Sequence, residues 1–304
     1  MASIGIIIVT YNSGEEIDAC LDAALRTGAE VVVVDNASTD ATLAAVKRRN
    51  VRLIANSENR GFAAAINQGF AVLDCTYVLL LNPDAVIQTT LEPMRAACDL
   101  PESAGAGGLL IDPKGHPQAG FAVRSLPTPA ALILEALVLN RIWPGNPVNR
   151  NYRNLERDLS AQGEAEQPAG AFLMVRKAVW QELGGLDERF FPLWFEDVDF
   201  CRRIRDRGYR LQYAPGSVAV HTGGHSIPCL PVEMRNFYWY CSLLRYSAKH
   251  FRPSVFRAVC LAVITGSIFR SIAESVRRFS LRPTAHYARV VRFAVRGLLL
   301  GSAG

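Results

Sequence analysis

The chain has 304 residues, half of them hydrophobic, with a formal charge of +5. That is enough for one large domain or two smaller ones around a sizeable core. No run of about eighteen uncharged apolar residues occurs, which argues against a membrane-spanning helix, and Met1-Ala2-Ser3 runs straight into Ile4–Val9 without the basic stretch or cleavage-like site of a signal peptide. In chain order, Ile4–Thr10 is β-branched and uncharged, as a buried strand is. Asn12-Ser13-Gly14 reads as a turn or cap, and Glu15–Arg26 has helical spacing through Ile17, Leu21, Ala24 and Leu25. Val31–Val34 is a second strand, Ala41–Arg49 a helix capped by Ser38 or Thr39, Val51–Ala55 a third strand, and Phe62 to about Leu73 a helix. Val78–Leu81 is a fourth buried strand, stopped by Asn82-Pro83-Asp84 because proline cannot donate to a ladder. Strands alternating with helices mean a mostly parallel sheet with right-handed crossovers.

Polar groups collect where these strands end: Thr10, Tyr11 and Asn12, then Asp35 and Asn36, then Asn59, Arg60 and Gly61, then Asp84. In open α/β sheets, ligands bind at the carboxyl ends of strands. A ring, an acid, amides and a glycine there suit a base and a ribose, and a strand tipped with an acid suits a divalent cation that holds a diphosphate. Each asparagine alone also fits an ordinary turn, and Asp84 also fits a cap. No G-x-G-x-x-G follows the first strand, where the chain reads T-Y-N-S-G-E, which argues against a nicotinamide or flavin enzyme.

Taken together, I-V-T-Y-N, V-V-D-N-A-S-T-D, N-R-G-F-A-A-A-I-N-Q-G and L-L-L-N-P-D resemble the family 2 glycosyltransferases of GT-A fold, most of all their bacterial rhamnosyltransferase-like branch. The resemblance spans roughly residues 3–225. It implies a nucleotide-sugar donor held by Thr10, Tyr11, Asn12, Asp35 and Asn59, with Asn36, Gly61, Asn67, Asn82, Asp84, Gly170 and Trp194 completing the donor site. Asp84 stands in the family's D-x-D metal motif, whose first acid is here Asn82. The implied cofactor is Mg2+ or Mn2+.

Further along, Gly105–Ile111 reads as a strand whose Gly107–Ile111 can pair with Gly120–Val123 across the turn Asp112–Gly115. Ala130–Leu139 is an apolar helix, and Pro144–Gln167 is a long polar loop of the kind that often serves as a lid. Gly170–Val175 is a strand, Arg176–Leu183 a short helix, and Gly184-Gly185 a tight bend. Glu196, Asp197 and Asp199 then crowd the first turn of a helix, where its dipole stabilises acids by about 0.3–1 kcal/mol each. Glu196 and Asp197 point about 100° apart, so one caps while the other faces a cleft. A carboxylate at a helix start beside the aromatic run Leu193–Phe195 suits a general base. The family's E-D motif falls here and implies Asp197 as that base, with Glu196 second. Tyr209–Ala214 is a strand. After it come His221, which the resemblance makes a metal-ligand candidate, and His225, a weaker one.

Pro231–His250 carries aromatics at helical spacing, expected to pack against the catalytic body. Ala258–Phe269 is uncharged but too short to span a bilayer. From Lys249 onward, ten basic residues face the single acid Glu274. Beyond Arg282-Pro283, arginines 289, 292 and 296 share one face, away from Val290, Val291, Phe293, Val295 and Leu298–Leu300. This reads as a basic amphipathic helix on an anionic membrane, with a homodimer interface as the alternative. The seven cysteines form no C-x-x-C pair and read as free thiols of a reducing cytoplasm.

The expected fold is therefore α/β: a GT-A catalytic domain over residues 1–230 with a mostly parallel, mixed central sheet, followed by a helical C-terminal region over 231–304. The expected activity is inverting transfer of a sugar, rhamnose from dTDP-rhamnose by resemblance, to a glycan or lipid-linked acceptor of a cell-envelope polysaccharide. The expected station is the inner face of the cell membrane. A non-catalytic nucleotide-sugar binder of the same fold is one alternative, fed by Asn82. A nucleotidyltransferase is another, although Thr10–Glu15 lacks the basic residues that hold a triphosphate. No nucleic-acid module accompanies the basic tail.

Overall fold

The computed structural model describes residues 3–223 and 231–303; His225 and Cys229 lie outside them. Two compact units make up the chain. The first comprises Met1–Leu126, Arg153–Glu188 and Glu196–Cys229. The second comprises Pro127–Tyr152, Arg189–Phe195 and Leu230–Gly304.

The strands of the first unit are β1 (Ile4–Thr10), β2 (Glu30–Asp35), β3 (Arg52–Ala55), β4 (Tyr77–Leu81), β5 (Ala85–Ile87), β6 (Ser103–Ile111), β7 (Val123–Arg124), β8 (Gly163–Ala165), β9 (Gln167–Pro168), β10 (Phe172–Arg176) and β11 (Arg210–His221). The main sheet runs β3-β2-β1-β4-β10-β6-β11-β5, with β8 alongside β11. Strands β1 to β4 are mutually parallel where they pair, while β10 runs antiparallel between β4 and β6. Strand β11 is again parallel to β6. The carboxyl ends of β1, β2, β4 and β11 and the amino end of β10 therefore share one edge.

Central strands are apolar because both faces are covered: every residue of β4 is buried, and Ile6, Ile7 and Ile8 of β1 have no exposed surface. Each such side chain contributes about 1.5–3 kcal/mol of burial. The glycines of β6 permit close approach. A Cβ at Gly105 would stand 2.3 Å from the Met174 carbonyl oxygen, and one at Gly108 would stand 2.2 Å from the Phe172 ring.

Helices α1 (Ile17–Arg26), α2 (Thr42–Lys47), α3 (Phe62–Val72) and α4 (Glu92–Cys98) lie between strands of this unit. The expected hairpin between Gly107–Ile111 and Gly120–Val123 does not form. Only Ile111 bridges back, to Pro117, and β7 pairs with β9 instead. The stretch read as a loop over 144–167 is partly ordered: strand β8 lies in it, and so does a short helix of the second unit, α7 (Pro147–Tyr152). Of the first unit's other helices, α8 (Lys177–Leu183) stacks its Trp180 on Phe70 of α3 at 3.6 Å between ring centroids, and α9 (Glu196–Asp206) carries the acidic cluster.

The second unit is helical: α5 (Pro129–Ala136), α6 (Leu139–Ile142), α7, α10 (Val232–His250), α11 (Pro253–Arg278) and α12 (Arg282–Leu300). A Cβ at Gly266 of α11 would fall 1.9 Å from the Ala136 carbonyl oxygen, so α5 and α11 touch backbone to backbone. The aromatics of α10 are engaged inside this unit. Arg289 sits 4.7 Å over the Phe237 ring, Arg270 sits 5.5 Å over Tyr240, and Tyr246 packs on Phe195.

The apolar side of α12 is used only in part within the unit: Tyr287, Val290, Ala294 and Gly297 are buried there, while Val295, Leu299 and Leu300 stay exposed. Exposed apolar residues also run along α11, at Leu261, Ile268, Phe269, Ile272 and Val276. By length and composition alone, α11 is long and apolar enough to cross a membrane, a property that core helices of soluble proteins share.

Candidate active site

At the ends of β1 and β2 the predicted donor residues form one hydrogen-bonded loop system. Thr10 Oγ1 donates to Asp35 Oδ1 at 2.7 Å, and the Ser38 amide donates to Asp35 Oδ2 at 2.9 Å. Asn12 closes the loop from the other side: its amide donates to Ser38 Oγ, and its Oδ1 accepts from the Thr39 amide at 2.8 Å. Asn36 reaches across to the Gly61 carbonyl at 3.1 Å and accepts from Asn56. Tyr11 stays half-exposed beside this system.

Asn59 accepts from the Gly61 amide at 2.9 Å, an Asx turn that sets up the start of α3. Gly61 itself has φ 84°, the left-handed region that glycine tolerates. Asn67 is different. Its amide is committed to the glycine bend, accepting from the Leu186 amide and donating to the Leu186 carbonyl, both at 3.0 Å, and to Glu188. These are the partners of a clamp.

Three residues beyond β4, Asp84 is buried, and its neighbour Ala85 pairs with His221 across β5 and β11. This register brings Asp84 Oδ1 to 3.4 Å from His221 Nε2. Asn82 Nδ2 lies 3.5 Å from the same nitrogen. Burial works to raise the Asp84 carboxyl, but His221 and the backbone amides of Asp84 and Gly223 outweigh it and hold it below the ordinary value. Among the described residues no cluster of three or more His, Cys, Asp or Glu side chains is gathered for a metal. The protein thus offers one carboxylate oxygen and one imidazole nitrogen. That donor set fits Mg2+ or Mn2+ taking its remaining ligands from phosphate oxygens and water.

The second carboxyl group stands at the same edge. The Asn82 amide donates to the Ala171 carbonyl at 3.0 Å, and the next amide back, Gly170, donates to Asp197 Oδ2 at 3.2 Å. Asp197 Oδ1 accepts from the Val198 amide at 2.8 Å. Desolvation raises the Asp197 carboxyl, partly offset by these amides and by the charge of Arg124. Glu196 differs. It is 7 % exposed, its Oε2 has no hydrogen-bond partner, and burial, then the Asp197 charge, push it well above the usual carboxylate value.

Asp197, with both oxygens on amide donors, is therefore the better-supported carboxylate. Asp199 is structural: Arg203 bonds it at 2.8 Å and also holds the carbonyls of Leu183 and Gly185. Trp194 belongs to the second unit, where it and Phe195 adopt φ of 76° and 70°. Consecutive bulky residues in that region store strain of order 1–3 kcal/mol each.

Three residues unflagged in the sequence join the site. Gln118 contacts His221 twice, Phe121 stacks on its ring at 5.2 Å and 8°, and Arg124 lies 5.7 Å from the Phe121 centroid. Only the turn glycines around them marked this stretch.

Parallel strands with an acid at one tip, a reversed strand beside it and a helix opening on a second carboxyl group make this a GT-A transferase fold. A mannosyltransferase of Pyrobaculum calidifontis, solved with GDP-mannose and Mn2+, superposes with a TM-score of 0.56 at 19 % identity over 98 % of this chain and 87 % of its own. Residues 5–180 match the family model Glycosyl transferase family 2, residues 145–242 match Glycosyltransferase like family 2, and the chain belongs to that family.

An N-acetylglucosaminyl-diphospho-decaprenol L-rhamnosyltransferase of Mycobacterium tuberculosis is 31 % identical over 73 % of this chain and 76 % of its own. The low-salt glycan biosynthesis hexosyltransferase Agl10 of Haloferax volcanii is 27 % identical over 72 % of this chain and 66 % of its own. The chain is thus a glycosyltransferase of the rhamnosyltransferase-like branch.

Proposed function

We propose that this glycosyltransferase moves rhamnose from dTDP-rhamnose, with inversion, onto a hydroxyl of a lipid-linked glycan in cell-envelope polysaccharide synthesis. Asp197 carries the proposal: it is a carboxylate held by two amides, raised by desolvation toward the range useful to a general base at neutral pH. Asp197 takes the proton of the acceptor hydroxyl as that oxygen bonds to the anomeric carbon. The bond from that carbon to the diphosphate oxygen breaks, and its electron pair leaves with the nucleoside diphosphate. The loop system of Thr10, Asn12, Asp35 and Asn36 holds the nucleoside. Asp84 and His221 would hold a divalent cation, which supplies positive charge to the departing diphosphate. The rhamnosyl donor and the lipid-linked acceptor are supported by the similarity to the mycobacterial enzyme.

The same proposal extends to a membrane station on the cytoplasmic side. Its support is the exposed apolar stripe of α11, continued by Phe279 and Leu281 and flanked by Arg277, Arg278 and Arg282. A second copy meeting this face would set arginines against arginines. The single acid of residues 249–304, Glu274, already accepts from the Tyr287 hydroxyl at 2.8 Å. An anionic lipid surface suits both the apolar stripe and its basic flanks. The expected result is sedimentation with phosphatidylglycerol vesicles, weakened by salt and by Phe269→Asp with Ile272→Asp. A concentration-dependent dimer that those substitutions abolish would replace this assignment.

The reaction is tested with a panel of nucleotide sugars, with and without EDTA, scored by thermal shift and by transfer to a polyprenyl-diphosphate-linked sugar. A shift and transfer with dTDP-rhamnose are expected. A panel in which no sugar nucleotide moves the melting curve overturns the donor assignment.

A further inference from the structure

We infer that Gln118 is a positioning residue: it fixes the tautomer of His221 so that, in the neutral imidazole, the Nε2 lone pair beside Asp84 is available to a cation. This rests on the assignment of Asp84 and His221 as the cation's protein ligands.

The argument is one of donors and acceptors. Gln118 lies beyond β6, its backbone anchored by donation to the Leu110 carbonyl at 2.9 Å and by accepting from the amides of Phe121 and Ala122. Its side-chain Nε2 donates to the His221 carbonyl at 2.6 Å. A carbonyl oxygen only accepts, so this contact settles which end of the Gln118 amide is nitrogen. The other end, Oε1, therefore faces His221 Nδ1, 3.0 Å away. An amide oxygen also only accepts, so Nδ1 must carry the hydrogen. In a neutral imidazole the remaining nitrogen, Nε2, then holds a lone pair.

Nε2 faces Asp84 Oδ1 at 3.4 Å. In the imidazolium, Asp84 Oδ1 accepts from Nε2–H; in the neutral ring two lone pairs face each other, an arrangement for an electrophile. Phe121 completes the restraint. Its ring lies 8° from parallel to the imidazole, so the ring plane is fixed as well as the proton. Metal-bound histidines ordinarily have their second nitrogen held in this way, and loss of the outer partner typically costs 10–100-fold in metal affinity.

The test uses the full chain with Mn2+ alone as probe, titrated by the electron paramagnetic resonance of the free ion, and 15N NMR of the imidazoles, with His221 assigned from His221→Ala. Wild type should give the Nδ1–H pattern for His221. Gln118→Met, close in length but without a strong donor or acceptor, should lose about 10–100-fold in Mn2+ affinity and show mixed tautomers. Gln118→Glu keeps an acceptor against Nδ1–H while giving up the donor to the His221 carbonyl, and should retain the tautomer and more Mn2+ binding than Gln118→Met. That rescue separates positioning from a merely structural role if Gln118→Met folds poorly.

Unchanged Mn2+ affinity in Gln118→Met, where His221→Ala has lost it, overturns this inference and leaves the cation assignment standing. An Nε2–H pattern in wild type overturns it also. If His221→Ala and Asp84→Asn both bind Mn2+ like wild type, the cation assignment itself falls.

Discussion

Replacing Asp197 by asparagine separates chemistry from binding and from stability in one variant. The side chains are nearly isosteric. Asp197 accepts from Gly170 at 3.2 Å and from Val198 at 2.8 Å. Asparagine keeps one acceptor and turns an NH2 against one amide, a loss of about 1 kcal/mol for one hydrogen bond. The general base is removed altogether, which corresponds to about 10²–10⁴-fold in kcat.

Stability should move with pH in a defined sense. The folded carboxyl of Asp197 is raised above its unfolded value, desolvation being the largest cause. Between the unfolded value, about 3.9, and the raised folded value, the native state binds more proton than the unfolded one. Wild type therefore loses stability as pH climbs through that window, and asparagine does not. Asp197→Asn should be the less stable protein in acid and should gain on wild type toward neutrality. Urea denaturation across that pH range measures the crossing, and single-turnover transfer with donor titration measures the chemistry. In wild type, the acid limb of kcat/KM should lie above the pH at which an ordinary aspartate titrates. Retention of more than a tenth of the activity by Asp197→Asn, with donor bound, would refute the assignment of the base.

Glu196→Gln replaces an acid whose burial, with the neighbouring Asp197 charge, pushes it well above the ordinary carboxylate value. Its kcat should stay within a factor of about three of wild type, under 1 kcal/mol, as steady-state transfer will show; a loss equal to that of Asp197→Asn would move the base to Glu196. Asn67→Ala strips the clamp from Leu186 and Glu188. It should cost about 1–3 kcal/mol in chemical denaturation through the orphaned backbone groups, with the donor KM little changed. Gly266→Val sets side-chain atoms where a Cβ alone would already meet the Ala136 carbonyl at 1.9 Å. Overpacking there should destabilise by about 1–3 kcal/mol or more, read as a lowered melting temperature.

The first half of the fold was legible because its signals are local. Uninterrupted β-branched runs such as Ile4–Thr10 and Val31–Val34 can only be strands covered on both faces, and Asn82-Pro83-Asp84 announces its own strand end. The pairing of β6 was not legible. Gly105 to Gly108 carry no pattern that names a neighbour, and the choice of β10 and β11 over a local hairpin depends on backbones approaching across long separations. The tail was legible in its amphipathicity only: periodicity cannot tell which residues of α12 pack on a sister helix and which stay exposed.

The site shows the same division. Asp84 stood out as an acid at the tip of a buried strand, and Asp197 and His221 through their places in the motifs of the family the sequence resembles. Gln118, Phe121 and Arg124 did not, since each is an ordinary residue whose meaning comes from what it touches. Their chain of contacts leads from the imidazole beside Asp84, through an aromatic ring, to the guanidinium whose charge partly offsets the rise of the Asp197 carboxyl. A substitution in this short stretch after β6 therefore acts on both carboxyl groups at once. Effects of such changes on cation binding and on the pH profile should be coupled, where two independently supported carboxylates would respond separately.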